Sequence, residues 1–456
     1  MTLRDDVFNL LLKNERRTAT EIIRDEILEK NHIYTTKDDK AAEMWIYENG
    51  IYVPQGRSFI KEYVRNILGE IYTTTLCNEI IYKIEADTFI KPEEFFINNN
   101  LNEIPVENGI LNIFTKELNE FTPTKIFFTK IPVLYDKTKT CPNILKFLKD
   151  VLKDEEDIKV VLEIIGYCLL KEYKLEKAFM FLGNGRNGKS KTLTLLKLFL
   201  GMDNVCSIPL YQLRADNFSI SELHNKLVNI AGDLSNTDLK DTGMIKSLTG
   251  RDPINAKRKF LSDVKFTNFA KMVFACNDLP RVYDTSIGFW ERWVLLEFPY
   301  QFVKKKEYDL ISNEKDKEFK KVDNPDIINS IISKDELSGL LNESLEALQR
   351  INEEKDFSYT KGSKEVKDFW VRKSDSFMAF CLDEICEDYD SKISKKEVRQ
   401  KYSKYCKKHK VKSVSDISIK ITLQELYGVI DEFIKTDPLT ERQEWCWTGI
   451  KWKNEI

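Results

Sequence analysis

The chain has little with which to build a metal centre or a disulfide framework. Its 456 residues include 3 histidines (His32, His224 and His409) and 9 cysteines, none of which form a C-x-x-C pair. Zinc ribbons need closely spaced soft ligands, so neither a zinc ribbon nor a disulfide framework is suggested. The thiols are expected to be reduced and mostly buried. Also missing is any run approaching the roughly 18–20 apolar residues of a membrane span, so no membrane partner is expected. The opening Met1-Thr2-Leu3-Arg4-Asp5-Asp6 carries acid where a secretory signal carries base, which predicts an intracellular protein. There is no excess of either charge. Lys+Arg 71 against Asp+Glu 74 gives a net −3, so any nucleic-acid contact has to come from local basic clusters. No repeat and no low-complexity tract is present.

What is there describes a globular protein, 42% hydrophobic and 32% charged, long enough for two to four domains. Residues 1–135 read as an α+β domain. A helical opening (Val7, Leu10, Leu11, Leu12, Ile22, Ile23, Ile27) precedes short aromatic strands around two turn signals, Asn49-Gly50 and Asn108-Gly109. Residues 136–175 read as helices, from the spacing of Leu145, Leu148, Leu152, Val161, Ile165 and Leu169. Residues 176–300 alternate short apolar runs with helical segments, which predicts a mostly parallel sheet with crossovers. A charged stretch from Lys304 to Lys321 and an amphipathic helix from Glu336 to Ile351 make 301–360 a helical lid or linker. Residues 361–456 read as a compact helix-plus-strand unit ending in Trp445-Cys446-Trp447-Thr448-Gly449-Ile450-Lys451-Trp452.

The most specific motif opens the third segment. Ala178-Phe179-Met180-Phe181-Leu182 reads as a buried strand, and Gly183-Asn184-Gly185-Arg186-Asn187-Gly188-Lys189-Ser190 follows, matching G-x-x-x-x-G-K-[ST]. In such a loop the glycines let successive backbone N–H groups curl around phosphates. The Lys189 ammonium reaches the β- and γ-oxygens of ATP, and the Ser190 hydroxyl ligates Mg²⁺. A helix through Lys191 to Leu200 then turns its positive end to the anion, and Gly201 ends it. Downstream, Leu227-Val228-Asn229-Ile230-Ala231-Gly232-Asp233 ends an apolar run in a carboxylate suited to holding magnesium through water. Lys271-Met272-Val273-Phe274-Ala275-Cys276-Asn277 ends another in an amide suited to orienting the attacking water.

With these segments in this order the chain resembles superfamily-three helicases, AAA+-like P-loop motors, and within them the phage and plasmid primase-helicase group. Lys246-Ser247-Leu248-Thr249-Gly250-Arg251-Asp252, Asn277-Asp278-Leu279-Pro280 and Trp290-Glu291-Arg292-Trp293 carry the resemblance further. So do Asn108-Gly109-Ile110-Leu111 and Ile165-Gly166-Tyr167 upstream; no primase domain is recognisable. The resemblance implies a hexameric ring that threads single-stranded DNA 3′→5′ at a fork, in the host cytoplasm if the source is viral. It makes Lys189, Asp233, Asn277 and Arg292 the catalytic residues, with 183–191, including Lys191, on the nucleotide and Ser190 and Asp233 on Mg²⁺. Arg292 corresponds to the arginine that reaches a neighbouring subunit's γ-phosphate. A pore hairpin is implied between Lys246 and Asn277, where Lys257, Arg258, Lys259 and Phe260 stand, with Lys259 and Phe260 at its tip. Some relatives carry histidine where Phe260 stands, so base stacking and simple hairpin packing are both open roles for the ring. Asp233 lacks the acidic neighbour of related motors. Glu222 or Asp238 is a candidate helper, and no residue is assigned as general base.

From Ser391 to Lys412 ten basic residues face one acid, Glu397. Read as a helix, this stretch buries Val398, Tyr402, Tyr405 and Cys406 and turns lysines outward. Among them Lys404, Lys407 and Lys408 are candidates for duplex contacts, with the Trp-rich end as the wing of a winged-helix-like domain. A solvated lysine face on a docking helix is the plainer alternative. A GTPase would need [NT]-K-x-D after the loop, and the one match, Thr36-Lys37-Asp38-Asp39, lies far before it. Asp388-Tyr389-Asp390 has the spacing of a polymerase carboxylate pair but no metal-binding histidine nearby, so a separate primase or polymerase is the expected partner. An ATP-switched initiator or loader shares every nucleotide-site residue named above and is the competing function.

Overall fold

In the computed structural model the described residues are 3–96, 100–215, 217–232, 239, 241–282, 284, 286–409, 411, 413–435 and 443–453. They form two compact units, a division coarser than the five segments expected from sequence. The first comprises Met1–Gly232, Gly243–Ala275 and Leu296–Tyr359; the second comprises Asp233–Thr242, Cys276–Leu295 and Thr360–Ile456.

After the helices Leu3–Leu12 and Arg16–Lys30 the first unit has a sheet in the order β3-β2-β1-β4, made of β1 (Ile33–Thr36), β2 (Met44–Glu48), β3 (Ile51–Val53) and β4 (Phe89–Ile90). Period-two alternation divides its residues between two cores. Ile33, Met44 and Ile46 join Ile23, Ile27, Ile60, Val64, Ile80 and Ile84 of the surrounding helices. Trp45 and Tyr52 instead join Phe95 in an aromatic cluster. The β2–β3 turn uses Asn49 at φ 47 and Gly50 at φ 99, as the Asn-Gly signal requires. A second small sheet, β5 (Glu103–Val106), β6 (Gly109–Asn112) and β7 (Leu118–Asn119), is antiparallel and turns at Asn108-Gly109.

Two helices, Pro142–Val151 and Glu155–Leu169, lead into the main sheet. The long helix Lys334–Glu354 packs along them. Its Glu336 carboxylate caps the first of them, accepting from the backbone N–H of Asn143 at 3.2 Å and of Ile144 at 3.0 Å. Gly166 permits the close approach, because a Cβ there would stand 2.3 Å from the Ser344 carbonyl oxygen. The main sheet has the order β14-β8-β13-β10-β9. Its strands are β8 (Ala178–Leu182), β9 (Val205–Cys206), β10 (Val228–Ala231), β13 (Lys271–Cys276) and β14 (Trp293–Glu297), and unit boundaries fall inside both β13 and β14. β10 runs parallel to both β9 and β13. Between β10 and β13 stands an antiparallel hairpin of β11 (Pro253–Ala256) and β12 (Val264–Thr267). A short parallel pair, β15 (Gln301–Val303) and β16 (Lys320–Val322), follows the sheet.

Lys271 opens β13 inside the core. Its ammonium donates to the carbonyls of Leu170 (2.5 Å), Glu172 (3.0 Å) and Phe269 (2.8 Å) and lies over the Tyr167 ring at 4.5 Å. Burial pushes it down to about 7. A buried ammonium is tolerated because the carbonyls take its hydrogens. All nine cysteines are free, eight of them buried.

In the second unit the helices Ser363–Ser374 and Ser376–Glu384 are followed by β17 (Ile385–Ser394), the helices Lys395–His409 and Asp416–Tyr427, then β18 (Ile430–Lys435) and β19 (Gln443–Trp452). The sheet order is β17-β19-β18, all antiparallel. The basic stretch is therefore not one helix from 391. Ser391–Ser394 complete β17, where Lys392, Ile393 and Ser394 pair with Thr448, Trp447 and Cys446, and sheet pairing overrides the local helical pattern. From Lys395 the helix buries Val398, Tyr402, Tyr405 and Cys406, the expected stripe. Residues 276–295 are tied into this unit by tryptophans. The Trp370 indole N–H donates to the Pro280 carbonyl at 2.7 Å, and its ring meets those of Trp290 and Trp293 at 5.8 and 5.1 Å.

Candidate nucleotide site and nucleic-acid surfaces

The phosphate-loop motif lies between β8, whose five residues are all buried, and a helix that begins at Lys189, two residues earlier than expected. Its backbone bends through two left-handed positions, Arg186 at φ 61 and Gly188 at φ 89. The second admits only glycine, since a Cβ would stand 2.3 Å from Val151 Cγ1 as well as in a strained conformation. Asn187 is buried and braces the loop from within: its Nδ2 donates to the Phe298 carbonyl at 3.3 Å and its Oδ1 accepts from the Lys189 N–H at 3.3 Å. The Arg186 carbonyl accepts from the Phe302 N–H at 2.6 Å, a second brace. Gly183 lies against Phe298, with no room for a Cβ, while Gly185 has open space around it and Asn184 is exposed.

The Lys189 side chain is 5% exposed, and its ammonium donates to the Gly183 carbonyl, spanning the two ends of the loop. Ser190 is exposed in the first helical turn, and Lys191 is exposed and reaches the Pro325 carbonyl at 3.5 Å. Such a cradle of glycine-permitted turns, a helix N-terminus and an ammonium fits a triphosphate. For a magnesium ion, Ser190 supplies an exposed hydroxyl on the same loop. Among the described residues no group of three or more His, Cys, Asp or Glu forms a metal cluster.

Lys189 is in the first unit, whereas Asn277 and Arg292 belong to the second. Asn277 is exposed just past the end of β13. Arg292 is half-buried and donates to the Gly288 carbonyl in the short helix Ile287–Trp290. Asp233 and Asp238 lie outside the described residues, and Glu222 is exposed.

A hairpin stands where one was expected, with Lys257, Arg258, Lys259 and Phe260 in the turn between β11 and β12. Phe260 is its tip, at φ 63 and 88% exposed, with the Lys259 ammonium 5.1 Å from its ring centre. Lys257 is also exposed. Arg258 is turned the other way, to Glu43 at 2.9 Å and to the Ser262 carbonyl at 2.9 Å, so it anchors the hairpin to the β1–β2 segment. No sequence signal pairs these two residues, because 215 positions separate them (258 − 43).

Beneath the hairpin lies His224, which carries no motif. Its ring packs against Phe96 at 5.4 Å and Phe266 at 5.2 Å, and burial together with the Arg258 charge lowers it to about 4. Protonation is thus disfavoured in the folded chain. Between pH 6.5 and 4 the unfolded chain takes up a proton that the folded one refuses, so stability falls with pH across that window, by about 3 kcal/mol at its foot. Replacing His224 with Phe should remove this part of the slope in urea midpoints measured from pH 7 to 4.5. An unchanged difference between pH values would show that His224 is accessible to protons in the fold.

In the second unit Lys404, Lys407 and Lys408 are exposed on one end of the basic helix. Lys395 is paired with Asp431 (2.7 Å) and Arg399 with Asp416 (2.7 Å).

Residues 12–153 match a family described as D5 N terminal like, and residues 181–292 match a family of unknown function, DUF5906. Among curated proteins the chain is 26% identical over 257 residues to "Putative helicase L207/L206" of Acanthamoeba polyphaga mimivirus, covering 54% of this chain and 26% of that protein. It is 24% identical over 296 residues to "Putative helicase V13" of Sputnik virophage, covering 60% and 36%. The chain thus spans about a quarter to a third of the length of these curated relatives. The solved C-terminal region of NrS-1 is similar at a TM-score of 0.48 and 14% identity, over 94% of this chain and 98% of that one. Among the described residues no helix is long and apolar enough to cross a membrane. By sequence, then, this chain is similar to viral proteins named as helicases, and a segment similar to the D5 N terminal like family precedes its glycine-rich loop.

Proposed function

We propose that this chain is the ATP-hydrolysing motor of a superfamily-three DNA helicase serving replication of a virus, phage or plasmid. In this reading it moves 3′→5′ on single-stranded DNA as a ring, with primer synthesis supplied by another protein. The observation that carries the reading is the braced phosphate loop at the end of a buried strand in a parallel sheet, with an exposed Lys259–Phe260 hairpin in the same unit. The helicase names of the viral relatives agree with it.

In this reading the backbone N–H groups of 183–188 and the Lys189 ammonium hold the β- and γ-phosphates of ATP. Mg²⁺ would be held by Ser190 and, through water, by Asp233, and it supplies neutralisation of the charge between those phosphates. Asn277 orients the attacking water, and Arg292 stabilises charge on the γ-phosphate of the neighbouring subunit. At the hairpin, the Lys259 ammonium follows a phosphate backbone without reading sequence, and the Phe260 ring rests on a base or sugar. The element order of residues 376–452, helix-strand-helix-helix-strand-strand, supports a winged-helix reading of the C-terminal part, with Lys404, Lys407 and Lys408 on a duplex.

The deciding measurement is ATP turnover with and without oligo(dT), beside unwinding of forked duplexes tailed at either end. A motor should be stimulated many-fold and should unwind the fork carrying the 3′ tail. Lys259→Ala should cut unwinding about tenfold or more while basal turnover persists, since its side chain meets DNA and not nucleotide. Unwinding and salt dependence that survive this change would remove the hairpin role. DNA binding with slow, unstimulated turnover in the wild type would assign an ATP-switched initiator instead.

A further inference from the structure

The C-terminal unit carries a second aromatic and basic surface that none of the roles above uses. The edge strand β18 pairs with β19, and at their register Phe433 stands opposite Trp445, ring centres 5.5 Å apart. Both rings are about half exposed, 53% and 52%. The other six of the chain's seven tryptophans are buried. A cross-strand aromatic pair stabilises paired strands only modestly, and that role does not need the rings open to solvent.

Beside the pair runs a groove of about 730 Å³, walled on its other side by Lys395, Lys396, Arg399 and Gln400 at the start of the basic helix, with Gln443 at one end. The acids on its floor are already answered: Asp431 bonds Lys395 (2.7 Å) and Lys420 (3.1 Å), and Glu444 accepts from the Ser394 hydroxyl at 2.9 Å. Lys395 is held with its ammonium 5.0 Å from the Trp445 ring centre and 4.3 Å from that of Trp447. Lys396 and Gln400 are exposed. The helix above them carries seven Lys or Arg and one acid, Glu397. Flat open rings beside a row of cations match a polyanion that also has aromatic faces.

We propose that this groove is a stacking site for an unpaired base of single-stranded nucleic acid, with Trp445 and Phe433 as the platform and Lys396 meeting an adjoining phosphate. It uses neither the Lys259–Phe260 tip nor the Lys404–Lys408 end of the same helix. The inference rests on the DNA-acting reading above. On a chain that moves along one strand, such a site holds the unpaired strand independently of ATP.

The test uses the full chain and a 20-nucleotide oligo(dT) carrying 5-iododeoxyuridine. Irradiation should join the oligonucleotide to a peptide containing Trp445. Trp445→Ala should weaken binding of labelled oligo(dT) without nucleotide by about 5–10-fold, and Trp445→Phe should retain most of the affinity. Duplex affinity should be unchanged by either, whereas Lys404, Lys407 and Lys408 all changed to Glu should lower it. Basal ATP turnover should stay at the wild-type value in Trp445→Ala, and the urea midpoint should move only slightly, by the small contribution of the cross-strand ring pair. Crosslinks confined to the peptide of Phe260, with full oligo(dT) affinity in Trp445→Ala, would overturn the stacking site and leave the motor standing. Wild-type protein that binds no oligo(dT) would sink both readings. Capture of an acidic peptide in place of oligo(dT), lost in Trp445→Ala, would make the groove a protein-docking surface and overturn the inference.

Discussion

Replacing Lys189 with alanine should reduce ATP hydrolysis by at least about 10²–10³-fold, the loss expected when one preorganised cation is removed from a transferring phosphoryl group. The fold should survive. The loop is held by Asn187 on Phe298, by the Arg186 carbonyl on Phe302 and by Gly188 against Val151, none of which uses the lysine side chain. Among the described contacts the side chain gives up its hydrogen bond to the Gly183 carbonyl, worth about 1 kcal/mol, and the urea midpoint should move by about that much. Phosphate release in the presence of saturating ATP checks the first claim and chemical unfolding the second. Turnover near the wild-type rate in a folded variant would remove 183–191 from the nucleotide site. Loss of both fold and turnover would mean that the lysine holds the loop together, which the bracing contacts contradict.

The contrast between Lys189 and its supports shows what was legible in the sequence. The loop itself could be read because glycine, lysine and serine at fixed spacing have one shared physical use, and the strand before and helix after it follow from local pattern. The hairpin position was legible by resemblance. Its anchoring was not, because Arg258 and Glu43 meet through tertiary folding and nothing local marks either one. The buried Lys271, His224 and Glu336 were missed for the same reason. Each reads as a surface residue by type, and only the carbonyls, rings or N–H groups that surround it make burial tolerable. The basic stretch from 391 failed in its first four residues because a lysine-rich segment carries no sign of the strand partner, β19, lying some fifty residues ahead. Its buried stripe was readable, since helical spacing of Val398, Tyr402 and Tyr405 is a local property.

Arg292 carries the other large effect, and its test separates action within a subunit from action across an interface. Its guanidinium donates to the Gly288 carbonyl of its own short helix and is half-buried. An arginine supplied to a transferring phosphoryl group from across an interface is worth about 10³–10⁵ in rate. Arg292→Ala should therefore bind ATP and hydrolyse it slower by that order. Mixing it with Lys189→Ala gives the decisive result. In a ring with head-to-tail contacts, an intact site needs Lys189 from one subunit and Arg292 from the next, and roughly a quarter of the interfaces in a random equal mixture meet that condition. Activity should rise from near zero to a sizeable fraction of wild type, although neither parent is active. If both residues serve the same subunit, every site in the mixture lacks one of them and no activity returns. Differently tagged variants purified through both tags establish that mixed assemblies are present, and the absence of rescue in those assemblies would place the work of Arg292 within its own chain.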